Sequence, residues 1–130
     1  MATRNDLLVR IAEKVGDTTG IKDYGQNCLL ALISGYLGGI LTKEASRNEL
    51  LKEIADLNGS LTTSANDPRN TLIHKAIIAI NPSYIPTGHD RNSLLSDLLN
   101  EISPRILDGL YQFQNGDNYN FQDDQPFQFN

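Results

Sequence analysis

Apolar residues recur through the first hundred positions at the spacing of one face of an α-helix, i, i+3, i+4 and i+7. The stripes with this spacing are Leu7, Leu8, Ile11, Ala12 and Val15; Leu50, Leu51, Ile54 and Leu57; Leu72, Ile73, Ala76, Ile77 and Ile80; and Leu94, Leu95, Leu98, Leu99 and Ile102. Each stripe predicts one amphipathic helix. No stretch before residue 110 alternates as a strand would.

Capping residues indicate where these helices begin and end. The starts are indicated by Thr3 with Asp6, by Ser46 with Glu49 in a capping box, and by Asp67 as N-cap before Pro68 as first helical residue. Asn58-Gly59 and Asn81-Pro82 are typical ends. Ser103-Pro104 would end a further helix and restart a short one carrying Ile106, Leu107 and Leu110. The sequence therefore predicts an all-α body, a bundle of five to six helices.

Residues 24–42 carry no charge and include a dense apolar run of about 14 residues. A membrane-spanning helix needs about 20 residues, and Gln26 and Asn27 stand at the start of this run. Gly35 and Gly39 form a spacing that lets helices approach closely in membranes and in tight bundles. We interpret the segment as a buried central helix; a membrane helix is the alternative.

The last twenty residues form a repeat of eight. Blocks starting at Tyr111, Tyr119 and Phe127 each open with an aromatic residue, an amide, a Phe and another amide, and the first two close on turn residues. In an extended strand both rings of a block lie on one face, so the tail could form a three-strand β-meander; the alternative is a Gln/Asn-rich tail without fixed structure. Either way the rings suggest a docking surface, and the predicted partner-binding residues are Tyr111, Phe113, Tyr119, Phe121, Phe127 and Phe129. The predicted division is a helical domain over 1–110 and a docking tail over 111–130.

Composition narrows the function classes. One Cys among 130 residues excludes an internal disulfide, and two His leave almost no basis for a structural zinc site. Residues 1–105 carry a net charge of −1 and the last 25 carry −4, so a nearly neutral body precedes an acidic tail. This balance does not favour nucleic-acid binding, which needs excess Lys and Arg. The N-terminus lacks the pattern of a signal peptide, which favours a cytoplasmic or virion location.

Candidate chemistry is sparse. His74 is interpreted as a surface or hydrogen-bonded side chain, and Cys28 as a small buried hydrophobe. The pair His89-Asp90 could orient an imidazole for catalysis, but Asp90 is also a natural N-cap. Glu49 and Glu53 share a helix face as metal-ligating carboxylates can, yet nearby Lys and Arg indicate a solvated face. We predict no enzyme, no cofactor and no metal.

The layout resembles the head–tail connector and head-completion proteins of tailed phages. The segment 6–12 followed by Gly16-Asp17 looks like the first helix and acidic turn of some members. The resemblance implies rings of copies whose arms reach neighbouring subunits, and it carries no functional residue with it. The leading hypothesis is a non-enzymatic assembly protein whose tail binds a neighbouring copy or another protein. The alternatives are a small monomeric adaptor that recruits one partner through its tail, and a membrane-associated helical protein of the immunity type.

Overall fold

A computed structural model describes residues 3–16 and 20–103 of the chain. All regular secondary structure in the described residues is α-helical, and these residues contain no strand. The five helices are α1 (Arg4–Gly16), α2 (Gln26–Tyr36), α3 (Arg47–Leu57), α4 (Arg69–Ile80) and α5 (Arg91–Glu101). The prediction of an all-α body is confirmed. The predicted sixth helix and the whole of 111–130 lie outside the described residues.

The five helices form a closed ring in which all of them point the same way. Each helix contacts the next one in the chain, and α5 contacts α1. The first residues of all five helices line one shared pocket, so their N-termini lie at one end. Because neighbours are parallel, each connection must run back along the outside of the ring. We call these connections the return loops.

Two corresponding positions of every helix contribute to the core of the ring. The fourth residue of every helix is a leucine and the fifth is a leucine or isoleucine, and all ten are buried. These pairs are Leu7 and Leu8, Leu29 and Leu30, Leu50 and Leu51, Leu72 and Ile73, and Leu94 and Leu95. The helices are 11 to 13 residues long, which corresponds to roughly 16–20 Å. Because every helix buries equivalent residues, all five surround the core equally and none is enclosed by the others.

The caps agree with the sequence at most ends. Ser46 and Glu49 form the predicted capping box, and the side chain of Asp90 accepts from the backbone N–H of Ser93. The predicted cap at Asp67 is wrong, because Pro68 is the N-cap and the helix begins at Arg69. The Asp67 carboxylate instead accepts from the Ser64 backbone and from Lys75, which holds the preceding loop.

The uncharged segment 24–42 folds as α2 and the turn after it. The helix ends at Tyr36, and Gly38, with φ of +106°, reverses the chain. Gly39 follows that turn, so the predicted pairing of Gly35 with Gly39 on one helix face is wrong. A Cβ on Gly39 would collide with the side chains of Ser34 and Glu53. Within residues 3–16 and 20–103, no helix has the length and apolarity needed to cross a membrane.

The seventh residue of each of three helices holds the return loop that leads into the same helix. Glu53 accepts from the backbone N–H groups of Ile40 and Leu41 at 3.0 and 3.2 Å, and also from the hydroxyl of Ser34. Lys75 donates to the carbonyl of Thr62 at 2.7 Å. These contacts fix the loops against the outside of the ring.

In α5 the seventh residue is Asp97, which is 6% exposed. It accepts from the hydroxyl of Tyr84, and from the backbone N–H and hydroxyl of Thr87 at 3.2 and 2.9 Å. Burial alone would raise the pKa of Asp97, but these hydrogen bonds outweigh burial and lower it. Burial and the neighbouring Asp97 carboxylate raise the pKa of Tyr84. The buried acid is therefore a charged anchor for the loop before α5.

Candidate functional site

Four arginines meet at the end of the ring where all helices begin. Arg4, Arg47, Arg69 and Arg91 are the first residues of α1, α3, α4 and α5, and together we call them the arginine ring. Gln26 occupies the corresponding position in α2. All five side chains line one pocket. Since the helix starts are in register, the fold brings together four cations that are far apart in the sequence.

Each arginine is held by an asparagine from the preceding helix around the ring. The Nε–H of Arg47 donates to Oδ1 of Asn27 at 2.9 Å, and that of Arg69 donates to Asn48 at 2.8 Å. The same bond joins Arg91 to Asn70 at 2.8 Å and Arg4 to Asn92 at 3.1 Å. The last of these links α1 to α5, the first and last helices of the described chain.

Three of these asparagines, Asn27, Asn48 and Asn70, also bind the return loop that follows their own helix through the side-chain amide. Nδ2 of Asn48 donates to the carbonyls of Ala65 and Asp67 at 3.0 and 2.9 Å. Asn5, Asn27 and Asn70 donate in the same way to the loops that precede α2, α3 and α5. Asn27, Asn48 and Asn70 thus each fix a loop and an arginine at once, which holds the guanidinium groups in place.

The positive charge of the arginine ring is not neutralised within the described part of the chain. In residues 3–16 and 20–103 the ion pairs within 4 Å are Lys52–Asp56 and Lys75–Asp67, and neither involves the ring. Burial and the other three arginines lower the pKa of Arg91. The positive ends of five helix dipoles lie at the same end. This end of the molecule therefore favours negative charge.

The pocket beneath the arginine ring is small and has an apolar floor. Its volume is about 20 Å³, which is room for about one water-sized group. The floor consists of the fifth residue of each helix: Leu8, Leu30, Leu51, Ile73 and Leu95. A larger ligand would have to remain at the mouth, where the guanidinium groups are.

The arginine ring was missed by the sequence interpretation, although its signal is present. Arg-Asn followed by any residue and two aliphatic residues occurs at positions 4, 47, 69 and 91, and Gln-Asn-Cys-Leu-Leu occurs at 26. The intervals are 22, 21, 22 and 22 residues. Repeats of 20–50 residues mark proteins built from one repeated supersecondary unit. A hydrophobic stripe taken alone does not reveal that the same polar pair recurs in front of each helix.

The structure separates the other candidate residues. His74 meets the ring of Tyr84 edge-on, with centroids 5.5 Å apart, and His89 is exposed and offers its backbone carbonyl to Asn70. Cys28 is half-buried rather than buried, and burial raises the pKa of its thiol. Glu53 does not lie on a solvated face, because it binds the loop before α3. Residues 3–16 and 20–103 contain no cluster of three or more His, Cys, Asp or Glu that could hold a metal ion.

The predicted partner-binding residues Tyr111, Phe113, Tyr119, Phe121, Phe127 and Phe129 all lie outside the described residues. Four large aliphatic side chains of the described residues are exposed: Ile78 on α4, at 39%, and three on loops that lie almost entirely in solvent. Ile40 is 87% exposed, Leu61 94% and Ile85 81%. Each lies on a different return loop, six to eight residues before the next helix. None of the three loop residues lines the pocket beneath the arginine ring.

No protein family model, curated protein or solved structure matches this chain.

Proposed function

We propose that the protein is a non-enzymatic structural protein that assembles with neighbouring copies through residues 111–130. The helical ring is the structural unit of the assembly, and the tail is an arm that docks on the ring of the next copy. In its most specific form this protein is a connector component of a virion, as the resemblance to phage head–tail proteins implies.

The observation that carries the proposal is the exposure of Ile40, Leu61 and Ile85. Aliphatic side chains of this size contribute about 1.5–3 kcal/mol each when they are buried, so three of them offer a substantial docking energy. They occupy corresponding places on successive loops, and the loops are fixed by Glu53 and Lys75 among others. An arm with aromatic residues on one face of a strand would cover such a surface.

The body is suited to this role because its own bonds hold it together. Asn–Arg contacts join four of the five neighbouring helix pairs, and equivalent residues from all five helices are buried in the core. A neighbour would therefore meet a preformed surface on the body. This keeps the entropic cost of assembly low.

The test is the mass of the full-length chain, measured by light scattering on a sizing column. We expect a discrete mass of several copies, and a mass of many copies would support the connector form. Changing Ile40, Leu61 and Ile85 together to Ser should give monomers with an unchanged helical circular dichroism spectrum. The matched control changes the neighbouring exposed residues Thr62 and Ser83 to Ala, and it should assemble normally.

A second chain ending at residue 110 tests the arm directly. It should remain helical and lose assembly. If the shortened chain assembles as the full chain does, the arm is not the contact and the proposal is wrong. A monomeric full-length chain would also contradict it, and would favour an adaptor whose tail recruits a different protein.

A further inference from the structure

We propose that the arginine ring binds one compact oxyanion with two negative charges, of the phosphate or sulfate class, on the axis of the helical ring. This site lies at the end where the helices begin, whereas the aliphatic side chains proposed for docking lie on the return loops. The two proposals rest on different residues, and either can fail without the other.

The first argument is the arrangement of the donors. Each guanidinium carries five N–H donors, and the Nε–H is the one bound to asparagine. The terminal groups of four arginines therefore remain as donors around one axis. A planar fork of N–H groups matches the oxygens of phosphate and sulfate better than it matches a spherical ion.

The second argument is electrostatic. Four like charges in a group repel one another, and the lowered pKa of Arg91 reflects this repulsion in addition to burial. The acidic capping residues at this end do not relieve it. The carboxylates of Asp6, Glu49 and Asp90 accept from the backbone N–H groups of Thr3, Ser46 and Ser93, and none forms an ion pair within 4 Å with a ring arginine. Binding of a dianion would remove the repulsion and would also complement the helix dipoles.

The third argument concerns the size of the ligand. The cavity of about 20 Å³ beneath the ring has a floor of leucine and isoleucine, so it cannot solvate an ion or hold a bulky group. The anion must sit at the mouth, in contact with the guanidinium groups. A compact tetrahedral group can touch several of them together, and anything attached to it would point away from the protein.

The first residue of α2, which is not an arginine, provides a natural comparison. Gln26 occupies the place of an arginine without disturbing the ring, so Gln is compatible with the fold at this position. Arg69→Gln is therefore a substitution that removes a charge and retains a side chain already used by α2. The reverse change, Gln26→Arg, would add a fifth cation, and Asn5 is placed to accept its Nε–H as the equivalent asparagines do.

The experiment titrates the full-length chain with inorganic phosphate at pH 7.5 and low ionic strength, by calorimetry and by thermal unfolding. We expect saturable binding of one phosphate per chain, and stabilisation well above that from sodium chloride at equal ionic strength. Arg69→Gln should weaken binding by about tenfold or more, because charge-assisted hydrogen bonds are lost. Gln26→Arg should strengthen it.

The matched control is Arg10→Gln, which removes an exposed arginine of α1 that does not line the pocket. It should bind phosphate like the unchanged chain. The proposal is overturned if Arg10→Gln and Arg69→Gln weaken binding equally, since the effect would then be one of net charge. It is also overturned if phosphate and sulfate stabilise the protein no more than chloride, or if Gln26→Arg weakens binding. Because the mass of the assembly is measured separately, failure here leaves the docking proposal unaffected.

Discussion

The asparagine contacts around the ring predict a graded loss of stability that follows the number of hydrogen bonds. Asn48 accepts from Arg69 and donates to two loop carbonyls, whereas Asn5 donates to the carbonyl of Tyr24 at 3.2 Å. A hydrogen bond contributes about 1 kcal/mol net, and one to a charged group contributes more. Asn48→Ala should therefore cost about 3 kcal/mol and Asn5→Ala about 1 kcal/mol. The higher helix propensity of alanine should reduce the destabilisation of each of these two variants by roughly 0.5 kcal/mol.

The assay is urea denaturation of the full-length variants, followed by far-ultraviolet circular dichroism. Asn66→Ala is the control, because Asn66 is exposed in the loop before α4 and its side chain takes no part in the Asn–Arg contacts. It should change the free energy of unfolding by less than about 0.5 kcal/mol. The reasoning is refuted if Asn5→Ala destabilises the protein as much as Asn48→Ala does.

Three further predictions concern the body. Asp97→Asn should cost about 2–3 kcal/mol through weaker bonds from Tyr84 and Thr87. Because the pKa of Asp97 is lowered in the folded chain, the stability that it contributes is complete above its usual value of 3.8 and is lost as the pH falls below it. Asp97→Asn should therefore flatten acid denaturation measured between pH 5 and pH 2, and an unchanged profile would contradict this. Gly39→Ala should lower the thermal midpoint by several degrees through collision with Ser34 and Glu53, and Gly25→Ala, with open space around its Cβ position, is its control. Leu50→Ala removes a fully buried side chain and should cost about 2–5 kcal/mol in urea denaturation, whereas a loss below 1 kcal/mol would show that this part of the core can collapse.

The helices were predictable because the spacing of apolar residues and the capping residues can both be read from a short stretch of sequence. The stripes at 7–15, 50–57, 72–80 and 94–102 each correspond to a helix, and the box at Ser46 forms as expected. The start at Pro68 was misplaced because Asp67 has a stronger partner in Lys75 than in the helix end. A local pattern cannot show that competition.

The arrangement of the helices was not predictable by the same means. A stripe shows that one face is buried and leaves open what covers it, so a ring with parallel neighbours is indistinguishable from an ordinary bundle. The arginine ring depends on that arrangement, because Arg4 and Arg91 become neighbours when α1 meets α5. Comparing the helices with one another, from the residues that begin them, would have revealed the recurring Arg-Asn pair.

Because α1 contacts α5, the fold should not depend on which helix comes first in the chain. In a circle of equivalent units, the bond from Arg4 to Asn92 resembles the bonds between helices that follow directly in the sequence. Any return loop is then as good a place for chain ends as any other. A circular permutant that begins in the loop before α4, with Ile102 joined to Thr3 by a flexible linker of return-loop length, should fold to the same circle. Its five helices would be unchanged, and the proposed docking segment, residues 111–130, could be attached at a different point around the circle.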